Sequence, residues 1–220
     1  MKILFYGDPH KKYDPLFEAI ERGRPDHVIC VGDFELEIPL RETLRPIFES
    51  GIPFWYIMGN HDTDTHEQHD LLIEGYPEGN LGNRVVDLGG VRIAGLGGVF
   101  RGKVWYPKEG TEEPKWHSPE AYIAKNARWR DWLPRNHRDT IFPSYVEELG
   151  KQKCDILVTH EAASTLEQGF LVIDQLAERL GARIIVHGHL HHIYEDRTAG
   201  GVRARGLGLA EPWLLDTDDL

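Results

Sequence analysis

Seven side chains in this sequence carry the atom types of a cation site: Asp8, His10, Asp33, Asn60, His160, His189 and His191. They are oxygen and nitrogen donors with no thiolate among them, a set that suits divalent manganese, iron, cobalt, nickel or zinc. Seven donors exceed one tetrahedral site. One aspartate can bridge two ions about 3.5–4 Å apart, an arrangement that can hold both the attacking and the leaving oxygen of a displacement at phosphorus. Asp33 is the candidate bridge. His61 and Asp62 follow directly in the run Gly59-Asn60-His61-Asp62 and add an imidazole and a carboxylate at the same strand end. Each motif alone is weak, because an Asp-x-His or His-x-His pair arises by chance and a strand-end aspartate is often only a helix cap.

Their placement is more informative. The run Phe54 to Met58 stops at Gly59 and delivers Asn60, His61 and Asp62, and the same plan recurs four more times. Ile3 to Tyr6 leads to Asp8 and His10, Val28 to Val31 to Asp33, Ile156 to Val158 to His160, and Ile184 to Val186 to the run from His187 to His191. Short apolar runs with polar tips read as buried strands, and the C-terminal ends of such strands are where open α/β sheets bind ligands. Between them, Asp14 to Arg22, Pro39 to Ser50 and Thr165 to Leu180 show helical spacing, with a short helix near Leu71 to Glu74. Arg84 to Leu88 and Val91 to Ala94 flank Gly89-Gly90 as a hairpin, and a closing hairpin surrounds Ala199 to Gly201. His187 reads as core or as support behind the donors, and His66 and His69 as decoration of a solvated helix start.

The motifs Asp8-x-His10, Gly32-Asp33, Gly59-Asn60-His61-Asp62, His160 and Gly188-His189-x-His191 resemble, in order and spacing, those of the calcineurin-like metallophosphoesterase superfamily. The resemblance implies an α/β fold, a four-layer α-β-β-α sandwich of two mixed β-sheets flanked by helices. It implies two divalent metal ions, one held by Asp8, His10, Asp33 and His191 and the other by Asp33, Asn60, His160 and His189. Manganese is favoured, with iron, nickel, cobalt or zinc as alternatives. The implied reaction is phosphoester hydrolysis by in-line attack of a hydroxide held between the ions. His61 would protonate the departing oxygen or stabilise its charge, and Asp62 would orient His61. The chain lacks the Val-Asp-Arg-Gly continuation of the serine/threonine protein phosphatases, having Phe34-Glu35-Leu36 after Asp33. A phosphodiesterase is therefore expected ahead of a phosphomonoesterase. The alternatives are a DNA or RNA nuclease of the same superfamily and, from a different class, a noncatalytic metal-binding scaffold.

Residues 99–145 fall outside the motif pattern and are expected to form an aromatic and basic insertion in a single domain spanning 1–220. Over residues 101–138 nine Lys or Arg face five Asp or Glu, whereas the whole chain of 220 residues carries a net charge of −11. Local positive charge in an acidic protein suggests anion capture, with Arg101 and Lys103 as the candidate substrate-binding residues. Basic residues interleaved with tryptophan could instead build a small core of their own. The net charge argues against nonspecific attraction to nucleic acid or anionic membranes, so a small phosphoester substrate is the expected partner. Two cysteines, each inside an apolar run, the absence of a leader pattern and the lack of an 18-residue apolar stretch lead to a cytoplasmic expectation.

Overall fold

A computed structural model describes residues 1–220. Ten strands follow one another as β1 (Lys2–Tyr6), β2 (His27–Cys30), β3 (Phe54–Tyr56), β4 (Arg84–Leu88), β5 (Val91–Leu96), β6 (Ile156–Thr159), β7 (Ile184–His187), β8 (Tyr194–Arg197), β9 (Arg203–Gly206) and β10 (Pro212–Asp216). The helices are α1 (Asp14–Gly23), α2 (Leu40–Thr43), α3 (Arg45–Ser50), α4 (His66–Ile73), α5 (Pro119–Ile123), α6 (Pro143–Leu149) and α7 (Leu171–Leu180). The first sheet runs β10-β1-β2-β3 and the second β4-β5-β6-β7-β9-β8. β1 with β2, β2 with β3, β5 with β6, β6 with β7 and β7 with β9 pair in parallel, whereas β10 with β1, β4 with β5 and β8 with β9 pair antiparallel, so both sheets are mixed.

Period-two alternation sorts the strand side chains into separate apolar layers. Ile3, Phe5, Ile29 and Val31 of the first sheet meet Ile93, Ile156, Val158, Ile184 and Val186 of the second in one buried cluster between the sheets. The alternate residues Leu4, Tyr6, Val28 and Cys30 face outward to Leu16, Leu40, Leu44, Ile47 and Leu72 from the helical side. On the far face of the second sheet Ala94, Leu157 and Ile185 pack with Val146, Leu149, Ile173, Leu176 and Leu180. Three apolar layers separate four structural ones, the expected α-β-β-α sandwich. Cys30 and Cys154 are buried free thiols inside these layers.

Three local departures have physical causes. The helix expected over Pro39 to Ser50 breaks at Leu44 into α2 and α3, because Pro46 has no N–H to give back to the preceding turn and its ring disfavours helical backbone before it. The helix expected from Thr165 begins only at Leu171. Residues 163–170 form a loop instead, in which the Ser164 N–H and hydroxyl donate to the Asp174 carboxylate and Gly169 packs against the Ala163 carbonyl too closely for any Cβ. Finally, β10 had no counterpart in the sequence reading; it covers the β1 edge through register pairs such as Leu4 with Leu214.

Residues 99–145 contribute no strand to either sheet. Val104, Leu133 and Phe142 form their own small core there, flanked by Trp105, Trp116, Tyr122 and Trp132. No helix is long and apolar enough to cross a membrane.

Candidate metal centre

The five strand ends meet at one point. Asp8 and His10 lie just past β1, Asp33 past β2, Asn60 past β3, His160 past β6, and His189 and His191 past β7. Donor atoms of Asp33, His160 and His189 all lie within 4.8 Å of one another. His10 Nε2 is 3.2 Å from His191 Nε2 and 3.6 Å from Asp33 Oδ2, and His191 Nε2 is 3.6 Å from Asp8 Oδ2. On the other side of Asp33, its Oδ2 is 3.4 Å from His160 Nε2, which is 3.1 Å from Asn60 Oδ1. Asp33 thus stands between the two groupings.

The residues fit divalent cations on three grounds. Ligands bonded at about 2.0–2.2 Å to a common ion stand roughly 3.0–3.6 Å apart, which is the range of these separations. Asp8 Oδ1 is buried with no hydrogen-bond partner, an expensive state for a carboxylate oxygen unless a cation or donor faces it. The set is also oxygen and imidazole only.

Backbone strain is concentrated here. Asp8, His10, Asp33, His189 and His191 all adopt positive φ, between 27° and 67°, although none is glycine. Such conformations persist only where surroundings over-determine them, and their gathering at one point marks a functional site. The hydrogen bonds that hold them are visible. The His189 N–H donates to Asp8 Oδ2 at 2.8 Å and the His61 N–H to Asp33 Oδ1 at 2.8 Å. His160 Nδ1 donates to the Val31 carbonyl at 2.8 Å and His10 Nδ1 to Glu35 at 2.6 Å, so in both rings Nε2 is turned toward the centre.

Close approach also explains Gly59. A Cβ there would lie 2.2 Å from Asp33 Oδ1 and 2.6 Å from His160 Cε1. Gly59→Ala is expected to displace both side chains, lowering stability by about 1–3 kcal/mol together with bound metal; a melting curve and metal analysis on the purified variant check it, and an unchanged metal content would refute it.

Electrostatics follow from crowding. Burial opposes a charge on His160, but the Asp33 carboxylate outweighs it and raises the pKa to about 10. Asp33 is correspondingly held well below the usual carboxylate range despite its burial, through His160. Burial raises Asp8 to about 7. His189 is pushed down to about 4 by burial and by His160, and His191 is lowered by burial and by His10.

The structure corrects the expected role of Asp62. Its Oδ2 accepts from the Asp33 and Gly59 N–H groups at 2.9 and 2.8 Å, and its Oδ1 from the Phe34 N–H at 2.7 Å. It therefore clamps the loops that carry Asp33 and Asn60 and makes no hydrogen bond to the His61 ring. His61 begins a 3₁₀ turn spanning His61–Thr63, where adjacent residues point in different directions and residues three apart align. Its Nδ1 accordingly meets Asp64 at 2.7 Å. Burial works against the His61 imidazolium, but the Asp64 bond and the Asp33 charge outweigh it, and the pKa is raised. The i to i+3 spacing was the available signal for Asp64.

Arg101 and Lys103 part company. Arg101 lines a cavity of about 290 Å³ beside Asn60 and His189, with its guanidinium 2.5 Å from the buried Asp139. Lys103 is exposed at the tip of a reversal in which the Val104 and Trp105 N–H groups return to the Arg101 carbonyl, and it does not line the cavity. His187 is buried between the Gly188 carbonyl and the Tyr194 hydroxyl. His66 and His69 are not free decoration: His66 stacks on Trp129 at 4.0 Å and His69 is buried beside the same ring. Glu35, Asp64, Asp139 and Glu161 are the site neighbours that sequence reasoning missed. Glu161, directly after His160, is buried and accepts from the Phe100 N–H at 2.8 Å.

An α-β-β-α sandwich whose strand ends converge oxygen and imidazole donors carries a candidate divalent-metal site. The chain belongs to the calcineurin-like phosphoesterases, whose family model matches residues 1–192. Among its relatives is an uncharacterized protein of Haemophilus influenzae, 38% identical over 227 residues, covering 99% of this chain and 98% of that one. The fold is shared with TT1561 of Thermus thermophilus, at a TM-score of 0.61 and 14% identity, with 98% of each chain covered. It is shared also with the phosphopantetheinyl hydrolase of Mycobacterium tuberculosis, at a TM-score of 0.51 and 17% identity over 95% of this chain and 90% of that one.

Proposed function

We propose that the protein is a phosphodiesterase for a small substrate, built as one domain over residues 1–220 with residues 99–145 as a cap. The observation that carries the reading is the pair of donor groupings sharing Asp33. Asp8, His10, Asp33 and His191 would hold one divalent cation, and Asp33, Asn60, His160 and His189 the other. Manganese suits this set first, with iron, cobalt, nickel or zinc as alternatives. Two bound cations supply an activated water near neutral pH and a positive clamp for phosphoryl oxygens.

The remaining work belongs to the chain's own groups. Asp62 keeps the Asp33 and Asn60 loops in register, while Glu35 and the Val31 carbonyl aim His10 and His160. Asp64 takes His61 Nδ1 and leaves Nε2 to hold a proton for the departing oxygen. Arg101, steadied by Asp139, faces the cavity next to Asn60 and His189. A monoester would leave that cavity empty, which favours the diester.

The nuclease reading is weaker because four of the cap's five arginines are engaged internally, Arg128 alone being exposed without a partner. Arg130 pairs with Asp70 at 2.8 Å, Arg135 donates to the Thr63 and Asp64 carbonyls, and Arg138 donates to the Trp129 and Leu133 carbonyls. Arg130 and Arg138 also lie over the Trp129 ring.

A screen of the metal-reconstituted protein against monoesters, diesters, cyclic nucleotides and single-stranded DNA tests the reading. Small diesters should be turned over best. Arg101→Ala should raise their KM by roughly five- to tenfold, the lower range for a partly exposed charged hydrogen bond, with metal content intact, and Lys103→Ala should change nothing. Oligonucleotide affinity falling steeply with salt, with DNA as the preferred substrate, would replace this reading with the nuclease.

A further inference from the structure

The cavity beside the donors has a chemical character of its own. Its floor is Phe100 and Phe170, both buried, with ring centroids 4.6 Å apart. Tyr106 meets Phe170 edge-on at 5.1 Å and 79°. Unlike the two phenylalanines, Tyr106 is 51% exposed, so about half of this residue in the cavity lining remains uncovered. A large aromatic side chain left open beside a polar catalytic centre is a surface waiting for a planar apolar group.

The cavity's position says which part of a substrate it takes. Asn60 and His189 form its inner border, whereas His61 is not part of its lining. A phosphorus atom at the donors with its departing oxygen toward His61 would therefore direct the other ester substituent into the cavity. Volume and charge narrow that substituent further. About 290 Å³ is at the low end for pockets that hold small organic ligands. It accommodates one ring system with a short linkage and not a run of nucleotides. Arg101, the cationic side chain in the lining, is matched by Asp139, and the other charged group is the Glu161 carboxyl. The Lys108 ammonium, 5.6 Å from the Phe170 ring, is held by the Glu167 and Gly169 carbonyls outside the lining, so the lining itself offers no unpaired cation for a second phosphate, and the Asn60 and Gln168 amides are its neutral polar groups.

We propose that this cavity binds the retained arm of the phosphodiester, and that the arm is an uncharged aromatic group stacked on Tyr106. This rests on the phosphodiesterase reading above. Tyr106 is a specificity-determining residue in this account: it touches the arm and leaves the chemistry at phosphorus to the centre.

Two diesters with the same leaving group separate the arm from the reaction. Bis(4-nitrophenyl) phosphate retains an aryl arm, and methyl 4-nitrophenyl phosphate retains only a methyl. Wild type should show a KM about tenfold lower for the aryl arm, within the range that stacking on an aromatic side chain supplies. Tyr106→Ala should erase that difference by raising the first KM while sparing the second, both kcat values and metal content. Tyr106→Phe should preserve it. Calorimetric binding of phenylphosphonate against methylphosphonate, which needs no turnover, should give the same ratio and the same response to the two variants. Equal KM values for the two diesters in wild type, or an equal rise in both on Tyr106→Ala, would overturn the aryl-arm assignment and leave the phosphodiesterase standing. Turnover of 4-nitrophenyl phosphate with neither diester cleaved would overturn the phosphodiesterase reading, and the arm with it.

Discussion

Asp33→Asn is expected to strip the protein of both cations. The substitution keeps the size of the side chain and removes the charge that the proposed two-cation reading makes common to both sites. Asp33 Oδ2 lies 3.6 Å from His10 Nε2 in one grouping and 3.4 Å from His160 Nε2 in the other. On the proposed reading of Asp33 as the shared ligand, both sites should weaken at once and hydrolysis should fall by at least about 10²–10³-fold, the range for removing one preorganised electrostatic group from a reacting centre. Elemental analysis after dialysis against manganese reads the outcome directly. Wild type should hold two ions per chain and the variant fewer than one. One ion retained at full occupancy would show that Asp33 belongs to a single site.

His61→Ala should behave in the opposite way, keeping its metals and losing its rate. The structural reason is that His61 ties to the ligand set through its backbone, whose N–H donates to Asp33 Oδ1, and alanine keeps that bond. The imidazole itself is partly exposed and bonded to Asp64. Turnover of diesters with poor alkoxide leaving groups should fall by roughly 10²–10⁴-fold, the usual contribution of a general acid. A 4-nitrophenoxide leaving group needs little protonation and should suffer far less. Equal losses on both would mean that His61 stabilises phosphoryl charge or positions substrate instead of donating a proton. Asp64→Ala should reproduce a weaker form of the same leaving-group dependence, whereas Asp62→Ala should lower stability and metal content, because three backbone N–H groups lose their acceptor.

Residues 99–145 illustrate why composition alone is ambiguous. Basic and aromatic residues interleaved along a sequence are compatible with gripping a polyanion or with packing on one another. The Trp129 ring stacks with His66 and has two guanidinium groups over it, and Arg135 holds the carbonyls of Thr63 and Asp64 that follow His61. These contacts link the segment to α4 and to the turn carrying His61, and they join residues about 60 to 70 positions apart in the chain.

The rhythm of the chain by itself determined the parallel strands, their polar tips, the two glycine-centred hairpins and the order of the motifs. These are local properties: alternation along a strand, helical spacing between strands and turn chemistry operate over a few residues. The tertiary structure alone decided what each tip residue touches. Asp62 and Asp64 are two positions apart in a short acidic stretch, and only the direction of a 3₁₀ turn assigns one to the loops behind Asp33 and the other to His61. The pairing of β10 with β1 joins opposite ends of the chain, and Glu35 reaches His10 across 25 residues. Contacts of that range leave no periodic trace, because either partner is a common surface residue until folding removes the water around it.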